Sequence, residues 1–332
     1  MKACIIGGGT WGSAFAHYLG NLDMETRIWI REKDVYQDTF RRRENRTFLP
    51  GYVFPPSVLF FNDIEKAVKT ADMVFVAVPS KFCRKVYEEA APSLSPDQIM
   101  VSLTKGIEEE SLRRMSEVME EIFSPFFAPR VAVLSGPSFA LEVAAQHPTA
   151  VVVASKDIGL AKKIQHLISS ASFRVYITQD IIGVELAGSL KNVIAIASGI
   201  LDSLEFGSNS IAALITRGLS EIRRLGVKLG AKKETFSGLA GVGDLVLTCT
   251  GKLSRNRYVG YELGKGKSLT EITSRMKMVA EGITTTVSAL QLARIKGVEM
   301  PICEQVYQVL YAGKHPEKAL QDLMSRKLKE EY

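Results

Sequence analysis

The stretch from Lys2 to Ala16 constrains this chain more than any other. Ala3 to Ile6 is a short apolar run suited to a buried parallel strand, it breaks at three successive glycines, and a helix-compatible segment follows from Trp11. Gly7, Gly9 and Gly12 have the G-x-G-x-x-G spacing. Missing side chains there permit a tight turn, a close backbone approach to a pyrophosphate, and tight packing of helix on strand. The phosphates would face a helix N-terminus, whose unpaired N–H groups and dipole favour anions. Strand, turn and helix together point to an α/β fold that holds a dinucleotide; the competing reading is a glycine-rich turn without a ligand.

The next strand, Thr26 to Ile30, ends where an NAD-selective site would place an acidic residue on the ribose hydroxyls. Arg31 stands there instead, with Glu32 beyond it. An arginine suits a 2'-phosphate, so the cofactor expected is NADP(H), or NADP(H) and NAD(H) both; a solvated strand-end charge is the alternative. Further strands are expected at Val58 to Phe61, Asp72 to Val78, Gln98 to Leu103, Val131 to Leu134, Ala150 to Ala154 and Phe173 to Ile177. Helix-length segments lie between most of them, among them Ile64 to Thr70, Lys81 to Ala91, Glu108 to Phe123 and Ile158 to Ser169. This alternation predicts a Rossmann-like, doubly wound, mostly parallel sheet. Ligands of such sheets sit beyond the carboxyl ends of the strands, so the residues there are the ones to inspect. They read Val78 to Ser80, Thr104 to Gly106 and Ser135 to Ser138. Lys105 can neutralise a phosphate or orient a carbonyl, and Ser138 either caps a helix starting near Phe139 or donates to a ligand.

From about Ile181 the alternation stops and helical periodicity takes over, which places a domain boundary there. Residues 1–180 form the dinucleotide-binding domain and residues 181–332 an all-helical C-terminal domain that binds substrate and carries the chemistry. At 332 residues two domains are the better expectation. Ala187, Leu190, Ile194, Ala197 and Leu201 mark one apolar helix face, and Lys191 lies on it. Such a lysine is either desolvated, which frees its proton for transfer near neutral pH, or snorkels to solvent at the edge of the stripe. Asp244 closes a Gly-Val-Gly turn and suits the N-cap of a helix beginning near Leu245. Ser254, Arg255 and Asn256 set a hydroxyl, a guanidinium and an amide in a row, a set that can take a phosphate.

Bulk properties narrow the partners. The net charge of +6 is spread among 36 acidic residues without a nucleic-acid-binding signature, so phosphorylated small molecules are expected and nucleic acid is not. Cys4, Cys83, Cys249 and Cys303 are far apart, form no metal-ligand spacing and read as reduced thiols; no metal is expected. No run approaches the roughly 18 apolar residues of a membrane span, and no secretory signal is visible, so a cytoplasmic location is expected. The helical second domain offers a surface for a homodimer.

Six motifs taken together, Gly7 to Gly12, Lys105-Gly106, Gly136 to Ala140, Leu190-Lys191-Asn192, Gly241 to Leu245 and Ser254-Arg255-Asn256, resemble the NAD(P)-dependent glycerol-3-phosphate dehydrogenase family, bacterial type, in order and spacing over nearly the whole chain. The resemblance implies reversible hydride transfer between dihydroxyacetone phosphate and sn-glycerol 3-phosphate, supplying phospholipid synthesis. It makes Lys191 the proton donor and acceptor, beside Asp244. It implies that Lys105, Gly136, Ser138, Lys191, Asp244, Ser254, Arg255 and Asn256 line the substrate site, and that Thr10, Trp11, Arg31, Lys105, Ala140, Arg255, Val279 and Glu281 contact the cofactor beside the three glycines. His17, His147, His166 and His315 fall outside every motif, which counts against a histidine-carboxylate dehydrogenase. The alternatives are a related 3-hydroxyacid or ketopantoate-type reductase, or a non-catalytic protein that senses NAD(P).

Overall fold

The computed structural model describes residues 1–276, 278–328 and 330–331. It divides into two compact units, Met1–Glu108 with Arg113–Glu185, and Glu109–Leu112 with Leu186–Tyr332. The first unit holds eight strands, β1 (Lys2–Ile6), β2 (Glu25–Trp29), β3 (Val58–Phe61), β4 (Met73–Val76), β5 (Ile99–Ser102), β6 (Arg130–Ser135), β7 (Thr149–Ala154) and β8 (Phe173–Thr178). Seven helices accompany them, α1 (Thr10–Gly20), α2 (Lys33–Arg42), α3 (Ile64–Val68), α4 (Ser80–Ala90), α5 (Met115–Phe123), α6 (Ala140–Ala144) and α7 (Ile158–Ile168).

The strands form one sheet in the order β3-β2-β1-β4-β5-β6-β7-β8. Pairs from β3 through β6 are parallel, β7 runs antiparallel to β6, and β8 is parallel to β7. The reversal of strand order at β1 and β4 is the switch point at which doubly wound sheets bind ligands. Side chains alternate across the pleat, so one strand feeds two cores. Ile5, Phe75 and Leu134 pack on one face with Phe15 and Leu19 of α1 and Ile164 of α7. Cys4, Ile6, Val74 and Met100 pack on the other with Tyr87 of α4 and Met119 and Phe123 of α5. Both faces being covered explains why the central strands, β4 and β5 among them, are buried throughout and read as nearly continuous apolar runs.

The helix expected from Glu108 begins only at Met115. Leu112 sits at φ +58, a conformation no α-helix accommodates, and Ile107 and Arg114 pair as an antiparallel bridge. The Glu117 carboxylate then accepts the Arg114 N–H at 2.9 Å and starts the helix. No glycine or proline announces this turn in the sequence.

The second unit is helical, with α8 (Ile181–Ser203, whose first residues belong to the first unit), α9 (Ser208–Lys228), α10 (Asp244–Thr250), α11 (Arg255–Gly264), α12 (Leu269–Ser274), α13 (Gly282–Lys296), α14 (Pro301–Tyr311) and α15 (Pro316–Met324). Contrary to the reading of the sequence, α8 is long and apolar enough to cross a membrane by length and composition; 94% of its most apolar window is buried, the mark of a core helix. It packs closely on α11. A Cβ at Gly260 would stand 1.9 Å from the Ile196 carbonyl oxygen, so only glycine permits the crossing. Asn256 in the first turn of α11 donates to Asn192 Oδ1 of α8 at 2.9 Å.

Glu221 of α9 is buried and accepts the N–H groups of Ile302 at 2.8 Å and Cys303 at 3.4 Å, at the start of α14. Burial pushes its carboxyl up to about 7, against the pull of those two N–H groups and of Arg224 and Arg326. The folded state therefore keeps a proton that the unfolded chain sheds near its ordinary value of 4.5, and stability falls as pH rises between those values. We expect up to about 3 kcal/mol of stability to be lost over this window through this group, and Glu221→Gln to flatten the profile in denaturant melts at pH 5 and pH 8.

Candidate active site

In the first unit the site begins at the glycine turn, where the three glycines of the fingerprint stand in different surroundings. Gly7 has φ +121, and a Cβ on it would lie 2.8 Å from the Ala77 carbonyl oxygen. A Cβ on Gly12 would lie 1.9 Å from the Gly7 oxygen, so this residue lets α1 seat against the turn. Gly9, the N-cap of α1, would meet nothing within 4 Å and makes no side-chain cap. An open approach to the N-terminus of an eleven-residue helix fits a pyrophosphate. Asn45 supports the turn from outside it, donating to the Gly8 oxygen at 2.8 Å and to Ser13 Oγ at 2.9 Å. Nothing in the sequence signals Asn45.

Thr10 and Trp11 open α1, and Trp11 packs against Phe15 with ring centroids 5.6 Å apart. Arg31 is exposed at the end of β2, pairs with Glu32 at 3.0 Å and lies over the ring of Phe82. After β5, Lys105 donates through Nζ to the Gly136 oxygen at 2.9 Å. Ser138 donates to the same oxygen at 3.0 Å and caps nothing; the N-cap of α6 is Phe139, with Ala140 the first helical residue. One carbonyl thus gathers Lys105, Gly136 and Ser138 after β5 and β6, and the capping reading of Ser138 is corrected.

In the second unit Lys191 is 5% exposed and does not snorkel. Its Nζ lies 2.8 Å from Asp244 Oδ1 and donates to Thr248 Oγ1 at 2.6 Å, with Asp244 1% exposed. The Thr248 hydroxyl donates in turn to the Asp244 carbonyl oxygen at 2.6 Å. Asp244 is not an N-cap. It is the first residue of α10, preceded by a π-helical turn over Leu239–Gly243, and its side chain turns to Lys191. Gly241 makes the turn possible, since a Cβ there would stand 2.0 Å from the Phe236 oxygen. Thr248 was not legible as a partner, because its i, i+4 relation to Asp244 acquires meaning only once Lys191 is beside both.

Ser254 caps α11, accepting the Arg257 N–H at 3.2 Å. Arg255 follows with an exposed side chain. Desolvation lowers its guanidinium, the nearby Glu281 raises it, and an arginine so exposed stays cationic. Glu281 is the N-cap of α13, and Val279 lies half-buried in the segment before it. Asn256 joins three elements, donating to Asn192 and accepting the Gly282 N–H at 2.9 Å. The second unit therefore groups Lys191, Asp244 and Thr248 as one cluster, Asn192, Asn256 and Gly282 as another, and sets Arg255 near Glu281.

Two family models match the chain, the NAD-dependent glycerol-3-phosphate dehydrogenase N-terminus over residues 2–161 and its C-terminus over residues 180–321. A glycerol-3-phosphate dehydrogenase (NAD(P)+) of Koribacter versatilis (strain Ellin345) is 49% identical over 327 residues, 98% of this chain and 97% of that protein. A crystal structure of glycerol-3-phosphate dehydrogenase from Coxiella burnetii superposes with a TM-score of 0.93 at 38% identity, covering 98% of this chain and 99% of that one. A ketopantoate reductase from Ralstonia eutropha JMP134 matches at TM-score 0.60 and 16% identity, covering 96% of this chain and 100% of that one, a likeness of fold alone.

Proposed function

This chain belongs to the NAD-dependent glycerol-3-phosphate dehydrogenase family, and from that premise we propose that it interconverts dihydroxyacetone phosphate and sn-glycerol 3-phosphate, supplying the latter for phospholipid synthesis. The observation that carries the chemistry is the buried Lys191–Asp244–Thr248 cluster. A bound nicotinamide supplies the hydride to C2 in reduction and accepts it in oxidation. Charge then develops on the C2 oxygen, and Lys191 donates the proton that neutralises it; in the reverse direction the same amine takes the proton from the hydroxyl. Asp244 stabilises the ammonium form, and Thr248 accepts from the ammonium, so both fix the direction in which Nζ can donate.

Arg255, in the first turn of α11, offers a planar fork of N–H donors to the substrate phosphate or the cofactor, and Lys105 supplies a second cation. Gly136, Ser138, Ser254 and Asn256 are assigned to the substrate site on the same resemblance. Arg31 favours NADP(H), with NAD(H) also used. The deciding experiment measures NADPH and NADH oxidation with dihydroxyacetone phosphate against 2- and 3-keto acids; turnover confined to the keto acids sinks the assignment. In the same assay Arg255→Ala should raise KM for dihydroxyacetone phosphate about tenfold or more, since a charge-assisted hydrogen bond contributes roughly 1.5–3 kcal/mol. Unchanged KM values for substrate and NADPH would show that the guanidinium serves neither.

A further inference from the structure

Two cations share one aromatic ring at the carboxyl ends of β2 and β4. The guanidinium carbon of Arg31 lies 5.2 Å, and Nζ of Lys81 4.8 Å, from the centroid of Phe82. Asn62, just beyond β3, donates to the carbonyl oxygens of Ile30 at 2.6 Å and Arg31 at 2.9 Å, which fixes the backbone from which Arg31 projects. Strand β1 runs between β2 and β4, so the ring and its cations flank the strand that ends in the glycine turn.

Arg31 has Glu32 as a counter-ion, whereas Lys81 makes no ion pair among the described residues. Lys81 also stands in the first turn of α4, where the helix dipole disfavours a cation, and no acidic residue shares that turn. Convergence of two exposed positive side chains on one ring, one of them against a helix N-terminus, makes a spot of positive potential that a bound anion relieves.

The geometry points to Lys81 as a specificity-determining residue that, with Arg31 on the Phe82 platform, binds the 2'-phosphate on the adenosine ribose and sets the preference for NADP(H) over NAD(H). This rests on reading Arg31 as a phosphate ligand. A phosphate competes with Glu32 for the guanidinium, and Lys81, as a point charge with no carboxylate of its own, favours the phosphate in that competition. A cofactor without the phosphate leaves the Arg31–Glu32 pair undisturbed, so NAD(H) is not excluded by these side chains.

Calorimetric titration of the whole protein with 2',5'-ADP and with 5'-AMP tests this without turnover. Wild type should prefer 2',5'-ADP; Lys81→Gln should lose at least about fivefold of that preference with 5'-AMP affinity within about twofold, and Lys81→Arg should restore it. The KM for NADPH should rise in parallel in Lys81→Gln, with that for NADH unchanged. A wild type that prefers 2',5'-ADP and a Lys81→Gln variant that keeps the full preference would overturn the role of Lys81 while leaving that of Arg31 standing. Equal loss for both nucleotides would also overturn it, because Lys81 would then act on what they share. A wild type without preference removes the reading of Arg31, and this one with it.

Discussion

Lys191→Met is expected to lower kcat by about 10³-fold while NADPH binds within about twofold of wild type. General acid–base catalysis by a positioned group contributes roughly 10²–10⁴ in rate, and the Lys191 ammonium is held in place by Asp244 and Thr248. Methionine keeps the apolar stem of the lysine, so the variant removes the charge with little cavity. It also strands a carboxylate that is 1% exposed, and a buried pair broken on one side costs about 3–5 kcal/mol. Loss of activity through unfolding must therefore be separated from loss of the acid. The double variant Lys191→Met with Asp244→Asn relieves the stranded charge, and should recover thermal stability without recovering turnover. A kcat within about tenfold of wild type in either variant, a loss of about 1.4 kcal/mol in transition-state stabilisation or less, would take Lys191 out of the acid role. Recovery of turnover along with stability in the double variant would do the same.

The pair shows what a sequence can and cannot disclose. Lys191 is legible because a helix repeats every 3.6 residues, so a cation on an apolar stripe stands out from its neighbours alone. Its partner is 53 residues away, counting from 191 to 244, and Asp244 after Gly243 has a satisfactory local explanation as a helix cap. That explanation fails because a π-helical turn starts the helix one residue early and aims the carboxylate elsewhere. Ser138 fails in the same manner, its hydroxyl going to the Gly136 oxygen and not to α6. Asn45, which braces the glycine turn, has no local signature at all. Strands are the opposite case. Runs bounded by turn residues mark all eight within a residue or two; in the central strands β4 and β5 burial on both faces of the sheet leaves a continuous apolar signal that needs no partner to be read, and the edge strands β3 and β8 show instead an alternation of buried and exposed residues. At Leu112, whose positive φ breaks the helix, no residue type in the sequence marks the break and the helical pattern runs on through it.

Gly9→Ala is expected to weaken NAD(P)H binding at least about tenfold while leaving the fold intact, and comparison with Gly12→Ala shows why. The two glycines belong to the same fingerprint, yet the protein itself needs only one of them. Gly12 faces the Gly7 oxygen, and a methyl group there cannot fit without moving the backbone of the turn or the start of α1; overpacking of this kind costs about 1–3 kcal/mol or more. Gly9 has φ −72 and ψ −178, ordinary extended values for any residue, and a methyl there would touch no protein atom within 4 Å. Alanine at this N-cap should lower Tm by only a few degrees. The space that methyl would occupy is the space a pyrophosphate needs in order to reach the first N–H groups of α1. Fluorescence titration with NADPH and a thermal melt on each variant separate the two cases: Gly12→Ala should lose stability and binding together, Gly9→Ala binding alone. An unchanged affinity in Gly9→Ala would mean that the cofactor phosphates keep clear of this residue, and the open face beside α1 would then have some other cause.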